Sequence, residues 1–258
     1  MLASPFVMTL LAGLSTGLGG ILAVLVRPTP RMLAVSMGFA GGIMLTVSLA
    51  DLAPQAMAYY SAYLPPMVCG AAVVSILLAG VCGAAFLARA LPDEAALAAR
   101  CSGDASRAAV LRAALATGAA LVLHNLPEGV LTLFAGASDP ALGARTALAV
   151  ALHNIPEGLA LAAPLVYATG KRAKSAGAAF ASGLAEPLGA VAAWLLLRGV
   201  LTPGLVNGTV VLVAGVMLWV SLAQLLPQAL RGGAAGAAGA AGAAAGCLAM
   251  LLGIAALP

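Results

Sequence analysis

The chain has 258 residues, of which 63% are hydrophobic and only 8% are charged, with a formal net charge of +4. A soluble domain carries about a quarter charged residues, so this composition indicates an integral membrane protein. The apolar runs are continuous rather than alternating, which excludes a membrane β-barrel and predicts an all-α membrane protein.

Eight apolar stretches follow one another along the chain, and each is long enough to cross a bilayer as a helix. We predict spans 1 to 8 at 5–26, 33–58, 66–89, 108–135, 144–168, 175–198, 205–228 and 236–256. Residues 1–258 therefore form one transmembrane domain, whose longest connection is a charged loop at about 90–107. The Gly- and Ala-rich segment 231–246 predicts a short loop followed by a helix suited to close packing.

The basic residues predict how the chain is oriented. If the N-terminus lies outside, the cytoplasmic loops hold ten Lys and Arg residues, and the outer loops hold only Arg145 and Arg198. This positive-inside bias places both termini on the extracytoplasmic side. It also explains the net positive charge, so nucleic acid is not expected as a partner. Short loops favour a bacterial inner (plasma) membrane.

Two parts of the sequence recur at long intervals. Segment 40–57 (AGGIMLTVSLADLAPQAM) aligns without gaps on 213–230 (VAGVMLWVSLAQLLPQAL), at a constant offset in numbering. More faintly, AGLSTGLGG at 12–20 resembles ASGLAEPLGA at 181–190. Because span 7 comes five spans after span 2, and span 6 five spans after span 1, the matching copies cross the membrane in opposite directions. We predict an inverted repeat of spans 1–3 and 6–8 flanking the central spans 4 and 5, an arrangement typical of transporters. Chance similarity among Ala- and Leu-rich helices is the alternative.

The central spans each contain one copy of a polar motif, HNLPEGV at 124–130 and HNIPEGL at 153–159. Together the copies hold both histidines of the chain. At 100° per residue, the His, Asn and Glu of each copy share one helix face. Both copies lie near the middle of the bilayer, on antiparallel helices. Each motif proline frees a backbone carbonyl one turn earlier, and at membrane depth such a carbonyl can line a cavity or coordinate an ion.

Acidic side chains inside the spans have no basic partner in the spans. Each isolated ionised carboxylate at this depth costs at least about 2.5 kcal/mol, so protons, water or cations must neutralise it. Imidazole, amide and carboxylate groups suit Zn²⁺, Fe²⁺, Mn²⁺ or Co²⁺ better than Cu⁺. Two facing motifs could form a metal cluster with bridging carboxylates. The predicted metal ligands are His124, Asn125, Glu128, His153, Asn154, Glu157 and, beside a proline in span 6, Glu186.

A purely structural role is the alternative for each of these side chains. A single histidine in a membrane helix usually hydrogen-bonds to a neighbouring helix, but duplication of the whole motif argues against that role here. For Asp51 the alternative stays open, because we predict it at the end of span 2, close to the outer surface. Its repeat mate is Gln224, near the inner surface. The two could flank a transport pathway as entrance and exit groups.

At these motifs the chain resembles the ZIP (Zrt/Irt-like) family of divalent-metal transporters, and most of all its bacterial zinc-uptake branch, the ZupT/GufA-like proteins. The resemblance rests on eight spans, the paired HNxPEG motifs, the Glu-Pro of span 6 and GxMLxxSLxxLxPxA in spans 2 and 7. It implies that the same seven residues form a binuclear centre. It further implies import of Zn²⁺ or another divalent metal into the cytoplasm, without a separate cofactor, by an elevator-like movement of the central helices.

The chain departs from this family at two places. Many relatives carry Glu where this chain has Asp51 and Gln224, so an exit role for span 7 is less supported. The loop at 90–107 lacks the His-rich cluster of many eukaryotic members, so metal sensing is not expected there.

The residues alone leave two other functions open. A membrane di-metal enzyme is one, although di-iron bundles use Glu-x-x-His whereas these motifs read His-x-x-x-Glu, and HExxH is absent. A channel rather than a carrier is the other. We expect a transporter and not an enzyme, with divalent metal ions and the lipid bilayer as partners. A homodimer is left open.

Overall fold

The computed structural model describes residues 4–26, 29–98, 104–197 and 202–256. These residues are almost entirely helical and contain no strand. Eight of the helices are long and apolar enough to cross a membrane. Spans 1 to 8 run Pro5–Leu25, Pro30–Ser61, Pro66–Arg89, Ala105–Ser138, Pro140–Thr169, Arg172–Leu196, Pro203–Ala229 and Gly233–Ala256. The chain is therefore an all-α, multi-pass integral membrane protein, as predicted.

The predicted ends of the spans differ from the observed ends by at most four residues, the largest difference being at the start of span 5. The charged loop contains a short helix, Glu94–Ala98. Residues 99–103 of that loop and the predicted end of span 6 at 198 lie outside the described residues. So do three of the charges used to predict the orientation, Arg27, Arg100 and Arg198.

Spans 2 and 7 begin with the same local signal. The side chains of Thr29 and Thr202 each accept a backbone N–H from three residues later, at 3.2 Å. A proline follows each threonine at the first helical position. The backbone N–H at that position would have no acceptor within the helix, so proline, which lacks an N–H, costs no hydrogen bond there. The two threonines are related by the same offset as segments 40–57 and 213–230, so the repeat extends to the helix starts.

Spans 2 and 7 also share a change of helical geometry. A π-helical turn covers Ser48–Leu52 in span 2 and Val220–Leu225 in span 7, just before the matching prolines. A π turn accommodates irregularities in the backbone hydrogen-bond ladder and often lies at a functional site. Because the turn accommodates Pro54, span 2 continues as an α-helix to Ser61.

This continuation corrects the predicted position of Asp51. The residue lies in the π turn, ten residues before the end of span 2, which is about 15 Å of helix. It is half-buried rather than a solvated helix end.

Matching glycines bring spans 3 and 8 against the two repeat copies. A Cβ on Gly42 of span 2 would collide with the Ala243 carbonyl of span 8. A Cβ on Gly215, its repeat mate in span 7, would collide with the Leu77 carbonyl of span 3. Span 8 thus packs on span 2 as span 3 packs on span 7, which supports the predicted inverted repeat. The opposite orientation of the two copies in a membrane stays a prediction.

The Gly-rich segment forms the packed face of span 8. The helix begins at Gly233, after a short connection, so the predicted loop followed by helix is confirmed. Its buried residues are Gly236, Gly239, Gly242 and Gly246. The other residues of the span are exposed or only partly buried, whereas most of span 2 is buried. Span 8 therefore lies on the outside of the bundle, where its apolar side chains would face lipid.

Spans 1, 4, 5 and 6 form a connected group inside the bundle. Span 1 packs on spans 5 and 6, and span 4 packs on spans 5 and 6 as well. The two polar motifs and Glu186 all lie on helices of this group.

Candidate metal centre

The seven predicted ligands lie buried within the bundle. Five of them have no exposed surface, and the other two, Glu128 and His153, are 7% exposed. All seven belong to spans 4, 5 and 6, as the sequence predicts. In the described part of the chain, the ion pairs of these seven residues join histidine to glutamate, and none of them involves Lys or Arg.

The histidine of each motif pairs with the glutamate of the other motif. His124 Nε2 lies 3.1 Å from Glu157 Oε2. His153 Nε2 lies 3.4 Å from Glu128 Oε1, close enough for an ion pair but without hydrogen-bond geometry. Helical spacing predicts that the His and Glu of one motif share a face, but it does not predict that each histidine contacts the glutamate of the other helix.

The motif asparagines tie the central spans to spans 1 and 6. Asn125 Nδ2 donates to the backbone carbonyl of Ser182 at 3.0 Å. Asn154 Nδ2 donates to the carbonyl of Ala12 at 3.1 Å and also to Glu186 Oε1. The third carboxylate of the set is thereby joined to the second motif.

The motif glycines allow the helix backbones to come close. A Cβ on Gly129 would collide with the carbonyl group of Glu186, and one on Gly158 would collide with that of Thr16. Only glycine leaves room for a neighbouring backbone at these positions. The two glycines therefore set the distance between the central spans and the helices that carry Glu186 and Thr16.

Each of the seven residues has at least one buried nitrogen or oxygen without a hydrogen-bond partner in the protein. A buried polar atom left unpaired typically costs about 1–3 kcal/mol, so a cluster of them calls for a ligand. The unpaired atoms are imidazole nitrogens and carboxamide or carboxylate oxygens, which suit divalent transition metals. They are His124 Nδ1, Asn125 Oδ1, Glu128 Oε2, both ring nitrogens of His153, Asn154 Oδ1, Glu157 Oε1 and Glu186 Oε2.

The side chains do not converge on one preformed point. Among the described residues, no three His, Cys, Asp or Glu side chains form a group ready to hold a metal ion. They are engaged with one another instead, as two imidazole–carboxylate pairs and one amide–carboxylate contact. A cation entering this cluster would have to separate those pairs.

The two predicted pathway residues lie on the π turns of spans 2 and 7. Asp51 accepts a hydrogen bond from Gln55 Nε2 at 2.9 Å and lies within electrostatic range of His153. Gln224 is partly buried. The structure thus relates Asp51 to the motif cluster more closely than the sequence suggested.

One buried polar side chain beside the cluster was not predicted from the sequence. Thr16 in span 1 has no exposed surface, and its Oγ1 has no hydrogen-bond partner. The sequence feature that could have identified Thr16 is its alignment with Glu186 in the faint repeat of spans 1 and 6.

The sequence matches the family model described as ZIP zinc transporter over residues 91–257. The chain belongs to the ZIP zinc transporter family. It is 39% identical to the zinc transporter ZupT of Corynebacterium efficiens over 235 residues, with 88% of each chain covered. It is 40% identical to ZupT of Chlorobaculum parvum, with 87% of each covered, and 37% identical to ZupT of Akkermansia muciniphila, with 88% of each covered. Members of the ZIP family are transporters, so the prediction that this chain is not an enzyme is confirmed and the di-metal enzyme is set aside.

Proposed function

We propose that this ZIP protein imports Zn²⁺ into the cytoplasm by binding it at the seven-residue cluster of spans 4, 5 and 6. The cluster of unpaired nitrogen and oxygen atoms carries this assignment, because it lies where a bilayer would exclude bulk water. The ZIP relatives of similar length are named zinc transporters, which supports Zn²⁺ as the cargo. The same donor set could also accept Fe²⁺, Mn²⁺, Co²⁺ or Cd²⁺.

Binding would exchange one set of partners for another. The cation would replace His124 as the partner of Glu157, and His153 as the partner of Glu128. Both imidazoles would then coordinate the cation in the neutral form, and protons held by the His or Glu side chains would be released. Glu186 would add a third carboxylate, so the cluster could neutralise more than one divalent charge.

Three carboxylates and two cross-paired motifs favour a binuclear arrangement. Each motif supplies one imidazole, one amide oxygen and one carboxylate, and Glu128 and Glu157 stand between the two sets. A bridging carboxylate would hold two cations near each other at the centre of the bundle. This arrangement agrees with the centre implied by the resemblance to the ZIP family.

A carrier mechanism fits the packing better than an open channel. Spans 1, 4, 5 and 6 pack together as the group that carries the cluster, whereas spans 3 and 8 pack on spans 7 and 2. Alternating access would come from movement of spans 1, 4, 5 and 6 against spans 2, 3, 7 and 8. Asp51 and Gln224, on the π turns, would then flank the two sides of the pathway. We place both termini outside a bacterial inner membrane.

Uptake of ⁶⁵Zn²⁺ into proteoliposomes tests the proposal. Wild-type protein should take up Zn²⁺ with saturation. Glu157→Ala should lose nearly all uptake, because it removes a carboxylate ligand that also pairs with His124. Asn207→Ala is the control, since Asn207 lies in span 7, is only partly buried, and donates its side-chain amide to the Pro203 carbonyl of its own helix. Equal uptake by wild type and Glu157→Ala would reject the assigned site. Uptake that rises linearly without saturation would reject a carrier.

A further inference from the structure

The contacts around the cluster occur in matching pairs. His153 and Glu157 of the second motif correspond to His124 and Glu128 of the first, so the two cross-helix ion pairs are equivalent. The asparagine bonds match as well. Asn125 donates to the carbonyl of Ser182, and Asn154 donates to the carbonyl of Ala12. Ala12 and Ser182 are themselves aligned in the faint sequence repeat of spans 1 and 6.

The correspondence extends to Glu186. The backbone carbonyl of Glu186 lies against Gly129, and the carbonyl of Thr16 lies against Gly158. Gly129 and Gly158 are the matching glycines of the two motifs, and Thr16 and Glu186 align in the repeat of spans 1 and 6. Thr16 therefore occupies in span 1 the position that Glu186 occupies in span 6. The cluster is symmetric in its motifs and asymmetric at this one pair of positions.

The hydroxyl of Thr16 is unusual among the buried hydroxyls of span 1. Thr9 Oγ1 donates to the carbonyl of Phe6 at 2.9 Å, and Ser15 Oγ donates to the carbonyl of Ala12. Thr16 Oγ1 has no such partner, although it is equally buried. The carbonyl one turn before it, that of Ala12, already accepts from Ser15 and Asn154. The Thr16 hydroxyl is thus left available in a buried site.

We propose that Thr16 supplies an eighth oxygen ligand for the transported cation, in the half of the cluster opposite Glu186. The contact between Glu186 and Asn154 indicates where this position directs its side chain. The equivalent direction from Thr16 leads to Asn125, whose Oδ1 is also buried and unpaired. A hydroxyl and an amide oxygen would therefore meet the cation where the other half offers a carboxylate and an amide oxygen.

The exchange of Glu for Thr gives the two halves different charge. The half with Glu186 has one more negative charge, so it would hold a divalent cation more tightly. The half with Thr16 would hold a cation through a neutral oxygen, and would release it more readily. This inference rests on the proposed metal-binding role of the cluster and assigns to it a residue that sets its selectivity and affinity.

Direct binding of Zn²⁺ to the purified full-length protein, together with uptake, tests this inference. Thr16→Val removes the hydroxyl at nearly constant volume and should weaken Zn²⁺ binding and raise the KM for uptake by about tenfold, as loss of one well-placed metal partner typically does. Thr16→Ser keeps the hydroxyl and should stay near wild type. Thr9→Val is the matched control, because its hydroxyl is equally buried but bonded within its own helix.

A change of donor atom separates a ligand from a packing residue. Thr16→Cys should shift the preference of the protein toward Cd²⁺ over Zn²⁺, because a thiolate is a softer ligand than a hydroxyl. Thr9→Cys should leave that ratio unchanged, as should any residue that acts only by packing. An unchanged ratio in Thr16→Cys, with equal KM for Thr16→Val and Thr9→Val, would overturn the inference.

The binding measurement also distinguishes this inference from the proposed function. If the wild type bound Zn²⁺ but did not transport it, the import proposal would fail, and the Thr16 variants would still decide the role of the hydroxyl. If the wild type bound no Zn²⁺, both would be overturned. Binding and uptake in the wild type, with no effect at Thr16, would overturn the inference alone.

Discussion

His124 of span 4 pairs with Glu157 of span 5, at 3.1 Å, rather than with Glu128 on its own helix. The reciprocal contact joins His153 to Glu128. The histidine of each motif therefore has its carboxylate partner on the other central helix. The pairs are buried and lie across the interface between spans 4 and 5. A cation that binds the cluster and separates these pairs would therefore change the stability of that interface.

The pairing of each histidine with the glutamate of the other helix predicts which residues are energetically coupled. In metal-free protein, a double-mutant cycle of His124→Ala and Glu157→Ala should give a coupling energy of about 1–3 kcal/mol, as expected for directly contacting buried residues. The cycle of His124→Ala and Glu128→Ala should give less. Thermal unfolding in detergent with a chelator measures both cycles. Stronger coupling within one helix than between the two would contradict the observed pairing.

The close approach at Gly129 predicts a sharp effect of one added methyl group. Gly129→Ala would push the Cβ into the Glu186 carbonyl, displacing a ligand-bearing helix and lowering stability by about 1–3 kcal/mol. Zinc uptake should fall with it. Gly83→Ala is the control, because no atom lies within 4 Å of the added Cβ at that position in span 3.

Thermal unfolding and ⁶⁵Zn²⁺ uptake of the two glycine variants check this prediction. The control should be neutral or slightly stabilised, since alanine favours a helix over glycine. Equal melting temperatures for Gly129→Ala and Gly83→Ala would show that the helices are not closely packed at the motif.

Proton competition predicts the pH dependence of transport. Imidazole and carboxylate groups bind a metal only in their deprotonated forms, so metal binding releases protons and weakens as the pH falls. The KM for Zn²⁺ should therefore rise when the pH on the uptake side is lowered from about 7 to about 5, and it should recover when the pH is restored. Initial uptake rates at varied Zn²⁺ concentration measure this shift. A KM that does not change with pH would contradict binding by these side chains.

The orientation of the chain predicts which loops can be labelled from outside. In a background with all four cysteines replaced by serine, Ser138→Cys lies at the end of span 4, next to the connection to span 5, and should react with an impermeant maleimide in intact cells. Lys171→Cys lies between spans 5 and 6 and should react only after permeabilisation. Both positions are exposed in the structure, so accessibility within the protein does not limit labelling. The reverse pattern would place both termini in the cytoplasm.

The spans and the ligand-bearing faces could be predicted from the sequence because they depend on local properties. Apolar length defines each crossing, and a spacing of 100° per residue places His124, Asn125 and Glu128 together. The choice of partner could not be predicted in this way. Whether His124 meets Glu128 or Glu157 depends on how the two helices are rotated and offset, which spacing within one helix does not describe.

Two other differences between the sequence-based predictions and the structure concern Asp51 and Thr16. The position of Asp51 was wrong because the π turn accommodates Pro54 and lets span 2 continue for more than two further turns. Thr16 was missed because a hydroxyl in a Gly- and Ala-rich helix usually bonds to its own backbone. Its significance comes from the matched contacts that align it with Glu186, and these require the positions of four helices.

X-ray absorption spectroscopy of the purified protein loaded with Zn²⁺ tests the central claim most directly. The cluster predicts nitrogen and oxygen ligands at about 2.0–2.2 Å, with the outer-shell scattering of imidazole and no sulfur. His153→Ala should reduce the imidazole contribution, whereas Asn207→Ala should leave the spectrum unchanged. A zinc–sulfur distance of about 2.3 Å would place the cation at a cysteine and contradict the assignment, as would an imidazole contribution unaffected by His153→Ala.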